Sequence, residues 1–241
     1  MTTFALTDAT IWVAGYDFTG DSNEVALSAS ADELDCTTFG SGGFRARKAG
    51  LKSVEARVAG YWDAGPGAVD AEAFNGLAVA DRVVTIAPSN AETTPAYMFR
   101  GGQFSYELFG QVGEMTPFSL NMLNTNSQGL IRGQVAKAKG SVSTAGPLGS
   151  VVNLGPVAAN QYLYAALHVF SAGTTLNLQI QSDNAAGFAT PTTVTTLPPV
   201  TVAGGTWMVR VPGPLTDTHY RFNVSGVALP FTVAAAIGIG S

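Results

Sequence analysis

The chain has 241 residues, 46% of them hydrophobic and only 12% charged, with a net charge of −5. That length supports a substantial buried core in one large or two ordinary β domains. The charge balance excludes a protein built to neutralise a phosphate backbone, and the single cysteine, Cys36, excludes an intrachain disulfide. The charged fraction is about half the usual one, which points to surface hidden in an assembly.

At the N-terminus, Met1-Thr-Thr-Phe-Ala-Leu6 has no basic segment leading into an apolar one, so no secretory leader is expected and synthesis in a cytoplasm is. No apolar run reaches the roughly 20 residues that would span a bilayer, so no membrane anchor is expected. Residues 17–57 then show an ordered charge pattern. Asp17, Asp21, Glu24, Asp32, Glu33 and Asp35 come first, Gly40-Ser-Gly-Gly43 follows, and Arg45, Arg47, Lys48, Lys52 and Arg57 come last. This reads as a long excursion with a flexible tip, whose two legs complement each other or a neighbouring copy.

In Val54-Glu-Ala-Arg-Val58 the apolar residues recur every second position, as on a half-buried strand. Asp70–Ala80 reads as a short helix, with Asp70 as N-cap and Phe74 and Leu77 on its inner side. A buried strand is expected at Val83–Ala87. Tyr97–Arg100 and Phe104–Leu108 read as a hairpin turning at Gly101-Gly102.

Residues 1–139 hold the whole net charge, and residues 151–241 are neutral with only Asp183, Arg210, Asp217 and Arg221 charged. The Gly/Ser/Pro-rich stretch 140–150 between them reads as a linker. Beyond it, Thr175–Gln181 and His219–Val224 alternate cleanly, and Tyr162–Phe170, Trp207–Val211 and Phe231–Ile239 are further strand candidates. Short strands at this spacing predict an antiparallel β-sandwich.

No catalytic constellation accompanies this pattern. His168 and His219 have no metal-ligand spacing around them, and the nearby Asp217 lacks a nucleophile to serve. Cys36 sits beside a carboxylate rather than the cation that would activate a thiol. The chain has no phosphate loop, no nucleophile elbow and no His-Glu-x-x-His, so no enzyme activity and no cofactor are expected.

Three segments carry a resemblance. Glu33-Leu-Asp-Cys-Thr-Thr-Phe-Gly40, Gly50-Leu-Lys-Ser-Val-Glu-Ala56 and Gly60-Tyr-Trp-Asp63 resemble the tail tube (major tail) proteins of long-tailed, non-contractile bacteriophages. Tyr97–Gly101 and Gly110–Pro117 are similar to that family as well. The resemblance covers about residues 1–139. It implies a mainly β fold: a tail-tube β-sandwich or barrel with one short flanking α-helix, followed by a second, exterior antiparallel β-sandwich. It further implies stacked hexameric rings in the virion tail, whose inner strands form a continuous barrel around a lumen through which DNA passes unbound. Partners would be copies of the chain and other tail proteins (tape measure, tail terminator, tail tip). The loop at about residues 20–50 would reach the adjacent ring. Asp32, Glu33, Asp35, Arg45, Arg47 and Lys48 are then the candidate contacts between subunits.

Three other readings stay open on sequence. One is another virion component, such as a capsid decoration or tail-tip protein. A second is a carbohydrate-binding module stacking sugars on Trp207, Tyr220 and Phe222, and a third is a β-sandwich hydrolase. The alternation around those aromatics favours packing over stacking.

Overall fold

A computed structural model describes residues 6–204 and 206–241, without the side chains at 206 and 207. The N-terminal stretch 1–5 and the side chain of Trp207, both weighed above, lie outside the described residues. The first half contains β1 (Thr10–Val13), β2 (Tyr16–Asp17), β3 (Ser22–Asp35), β4 (Arg47–Tyr61), α1 (Val69–Gly76), β5 (Arg82–Ala87), β6 (Pro95–Leu108) and β7 (Pro117–Asn124). There follow β8 (Ile131–Val142), β9 (Gly146–Asn153), β10 (Tyr162–Ser171), β11 (Thr175–Asp183), β12 (Thr192–Thr196), β13 (Thr206–Pro212), β14 (His219–Ala228) and β15 (Phe231–Gly240).

The fold is mainly β, as expected, and the strand pairs are antiparallel. One sheet has eleven strands. Its main path runs β13-β10-β15-β8-β6-β5-β1-β2, and β7, β4 and β3 branch from β6. A second sheet has the order β12-β11-β14-β9. No barrel closes within the chain: β3 pairs only with β4 among the described residues and keeps one free edge.

Alternation explains the layers. In the second half Leu163, Ala165, Leu167 and Val169 of β10 and Val233, Ala235 and Ile237 of β15 face the smaller sheet. They meet Leu176, Leu178 and Ile180 of β11 and Tyr220, Phe222 and Val224 of β14, all essentially dry. This is the antiparallel sandwich that the alternation predicts. The first half has its own core, where Val54, Ala56 and Val58 of β4 meet Phe18, Phe99, Phe118 and Leu120.

The opposite faces of β10 and β15 form a third cluster. Tyr164, Ala166, Ala234 and Ala236 pack on Trp12, Val83, Ala87, Met98 and Ile131 of the first half. The halves therefore share a sheet and a buried seam, and strand β8 belongs to both. It pairs with β6 through Ile131–Gln134 and with β15 through Arg132–Val142. The expected linker at 140–150 is corrected: those residues are the end of β8, a short turn and the first part of β9. Of the three glycines in this stretch, Gly146 has φ +128 and Gly149 is required by close approach. Gly149 has φ +70, and a Cβ there would lie 2.1 Å from the Ala136 carbonyl oxygen.

Two further expectations fail for physical reasons. Tyr97–Leu108 is not a hairpin but the single strand β6. At Gly101 it is flanked by Arg82 of β5 and Asn124 of β7, and a Cβ would sit 2.9 Å from the Leu123 carbonyl oxygen. Glycine there permits close approach rather than a turn. In α1 the inward face is Val69, Ala73 and Gly76, small enough to lie flat on the sheet, while Phe74 and Leu77 are exposed. Ala68, not Asp70, is the N-cap. Asp70 instead accepts hydrogen bonds from Trp62 Nε1 (2.9 Å) and the Tyr106 hydroxyl (2.8 Å), which tie the helix to the sheet.

Candidate inter-subunit surface

Strands β3 and β4 form a long hairpin that begins inside the sheet and leaves it. β7 lies beside β4 only from Glu55 to Tyr61. Beyond Val54 the two strands pair only with each other among the described residues. A two-stranded ribbon alone in water is marginally stable at best. Here the tip is ordered by its own polar groups. The Cys36 amide donates to Ala46 O (2.9 Å), the Ala46 amide to Thr37 Oγ1 (2.9 Å) and the Thr37 amide to Asp35 Oδ1 (2.8 Å). Gly42 and Gly43, with φ +61 and +83, complete the turn around Phe39–Ser41.

All six predicted contact residues lie on this distal hairpin and are exposed. Register and alternation sort them. Glu33, Asp35 and Arg47 project from one face, and Asp32 and Lys48 from the other, beside Leu34. Arg45 lies in the tip. One pair closes within the chain: Arg47 Nε is 2.5 Å from Glu33 Oε1, with both side chains at least half exposed. Such an exposed pair contributes roughly 0–1 kcal/mol. Asp35 is engaged by the Thr37 hydroxyl and amide, which hold its carboxyl below the ordinary value. Asp32, Arg45 and Lys48 have no ion-pair partner among the described residues.

The same tip carries an apolar set that charge counting overlooks. Phe39 is fully exposed, and Phe44, Leu51 and Leu34 are largely so. Phe39 and Phe44 flank the predicted glycine turn, so a signal was present in the sequence. Exposed apolar groups of this size clustered on a projection make the tip a candidate contact surface. The β6–β7 turn adds exposed Phe109, Val112 and Met115.

A second apolar feature lies at the base of the hairpin. Leu6, Val25, Leu27, Ile86, Tyr97 and Leu130 line an open groove of about 590 Å³. Asp8 and Glu24 stand on the adjoining rim, both exposed.

The residues weighed for chemistry are structural. His168 is buried in the seam. Its Nδ1–H donates to Ala14 O and its Nε2 accepts from Thr85 Oγ1, each at 2.8 Å. Burial pushes its pKa down to about 4, against the pull of the Ala14 carbonyl. Asp217 accepts from Ser182 Oγ (2.6 Å) and does not bond His219, which pairs with the Thr218 hydroxyl (2.8 Å). Tyr220 and Phe222 are fully buried and offer no face to a sugar. Among the described residues no group of three His, Cys, Asp or Glu side chains could hold a metal ion.

No family model and no curated protein matches the chain. Solved structures similar to it include a chain of the virion of a native gene transfer agent particle, at 17% identity and TM-score 0.40, covering 51% of this chain and 93% of that one. A chain from the tail of an empty gene transfer agent particle of C6 symmetry is similar at 16% identity and TM-score 0.40, covering 54% and 97%. The SPP1 Dit protein, described as a paradigm of the hub adsorption apparatus of phages infecting Gram-positive hosts, is similar at 12% identity and TM-score 0.40, covering 97% and 99%.

Proposed function

We propose that this chain is a structural subunit of a bacteriophage tail, and that its copies stack as rings, hexameric by family resemblance, into the tail tube. The observation that carries the reading is the distal β3–β4 hairpin, which leaves its own sheet with exposed Leu34, Phe39, Phe44 and Leu51 at its end. A ribbon of that composition is stabilised by a partner surface. The free edge of β3 supports the same conclusion, since a long unpaired strand edge is a template for pairing with another chain. The three resembling segments fall on this hairpin and the end of its second strand.

In this reading residues 1–139 supply the assembly surfaces, and residues 151–241 form the exterior sandwich joined to them through β8 and the seam. Asp32, Arg45 and Lys48 contribute to contacts between copies, and opposite charges there set register more than affinity. The negative charge of the first half lets DNA pass without adhering. The protein acts in the virion tail alongside other tail proteins and performs no catalysis.

Sedimentation velocity and negative-stain microscopy of the full chain test this across concentration and salt. Rings or tubes are expected. A monomer persisting at high concentration and at every salt level, even when seeded with isolated tail tips, would overturn the proposal.

A further inference from the structure

The apolar tip needs an acceptor surface. Its own base is out of reach. Val25 and Asp35 are ten residues apart on one extended strand, a separation of about 33 Å. The base groove and the tip therefore stay apart within one chain.

They nevertheless match in chemistry. The groove is lined by aliphatic and aromatic side chains, and the tip presents Phe39, Phe44 and Leu34. The rim beside the groove is acidic, through Asp8 and Glu24, which form no ion pair among the described residues. At the tip the two unpaired cations Arg45 and Lys48 outnumber the one carboxylate without an ion-pair or hydrogen-bond partner, Asp32, among the described residues. A neighbouring copy can satisfy both mismatches together.

We propose that the hairpin tip of one copy seats in the groove lined by Leu6, Val25, Leu27, Ile86, Tyr97 and Leu130 of the next, with Arg45 and Lys48 facing Asp8 and Glu24. This rests on the assembly reading above and specifies its acceptor. Donor and acceptor are different patches of the same chain, so the contact is heterologous, and made from one ring to the next it repeats along the stack. Each copy both gives a tip and receives one, which produces an open stack rather than a two-fold dimer.

Cys36, exposed in the tip, supplies the probe. A Leu6→Cys variant places a second thiol at the groove. Under mild oxidation of the assembled protein it is expected to form a covalent ladder of trimers and longer species. The natural chain, with one thiol, stops at dimers. A Val202→Cys control, exposed in the second half, is expected to give no ladder above that background. Reversing Asp8 and Glu24 to Lys is expected to lower ladder yield about tenfold, and further reversing Arg45 and Lys48 to Glu is expected to restore it. Assembly seen by microscopy without a Leu6→Cys ladder overturns the groove assignment and leaves the tail reading standing. Absence of any assembly overturns both.

Discussion

Acidification isolates the energetic role of the seam through His168. The folded imidazole has a pKa of about 4, mainly because burial disfavours its charge, whereas an unfolded chain titrates near the ordinary 6.5. Above about pH 6.5 the ring is neutral in both states and contributes no pH dependence. Below it the unfolded chain takes up the proton first, so stability falls with pH until the folded ring also protonates near 4. The gap corresponds to about 3 kcal/mol, lost with a limiting slope of about 1.4 kcal/mol per pH unit. Urea unfolding at several pH values between 7 and 4 measures the loss. A His168→Gln variant keeps a donor for Ala14 O and an acceptor for Thr85 but cannot titrate, so its curve is expected to be flatter by that slope. Glu92 and Asp183 are held below the usual carboxylate range and also titrate in acid, but they are common to both proteins and cancel in the difference. Parallel curves for the two proteins would refute the reasoning and place His168 in contact with water.

Changing Phe39 and Phe44 together to Ser is expected to shift unfolding free energy by less than about 0.5 kcal/mol, because both are exposed, while abolishing sedimentable assemblies. Gly133→Ala on β8 would set a Cβ 2.1 Å from the Ile237 carbonyl oxygen, and urea denaturation is expected to show a loss of about 3 kcal/mol. Cutting the chain after Lys139 strips β15 from β8 and uncovers Trp12, Met98 and Ile131. The fragment is expected to aggregate or bind a hydrophobic dye, whereas a soluble fragment with native near-ultraviolet circular dichroism would show that the seam is dispensable.

Much of the fold was legible because period-two patterning survives in single strands. Val54–Val58, Leu176–Ile180 and Tyr220–Val224 bury the residues their alternation names. Two departures turn on glycine, which along the sequence reads as local conformational punctuation. At Gly101 and Gly149 it marks places where a second backbone approaches too closely for a Cβ, a tertiary fact invisible to local reading. On the helix the flat fit of Ala73 and Gly76 against the sheet outweighs burial of Phe74, a choice that local periodicity does not reveal. The hairpin and its charge order were visible, but the Glu33–Arg47 pair needed the register. The base groove joins Leu6 to Leu130 and had no signature along the chain.

The shared strand β8 also has a mechanical consequence. A flexible tether would let the second half swing independently, so a pull on it would barely be felt by the first. Here the backbone ladder runs from β6 through β8 into β15, and Glu92 braces the junction, accepting from Ser150 Oγ at 2.6 Å and pairing with Lys137 at 3.3 Å. A tug along the strand axis loads those hydrogen bonds together in shear instead of peeling them one at a time. The second-half sandwich is thus a stiff lever on the first half, and torque applied to it is carried through β8 into the sheet from which the hairpin springs.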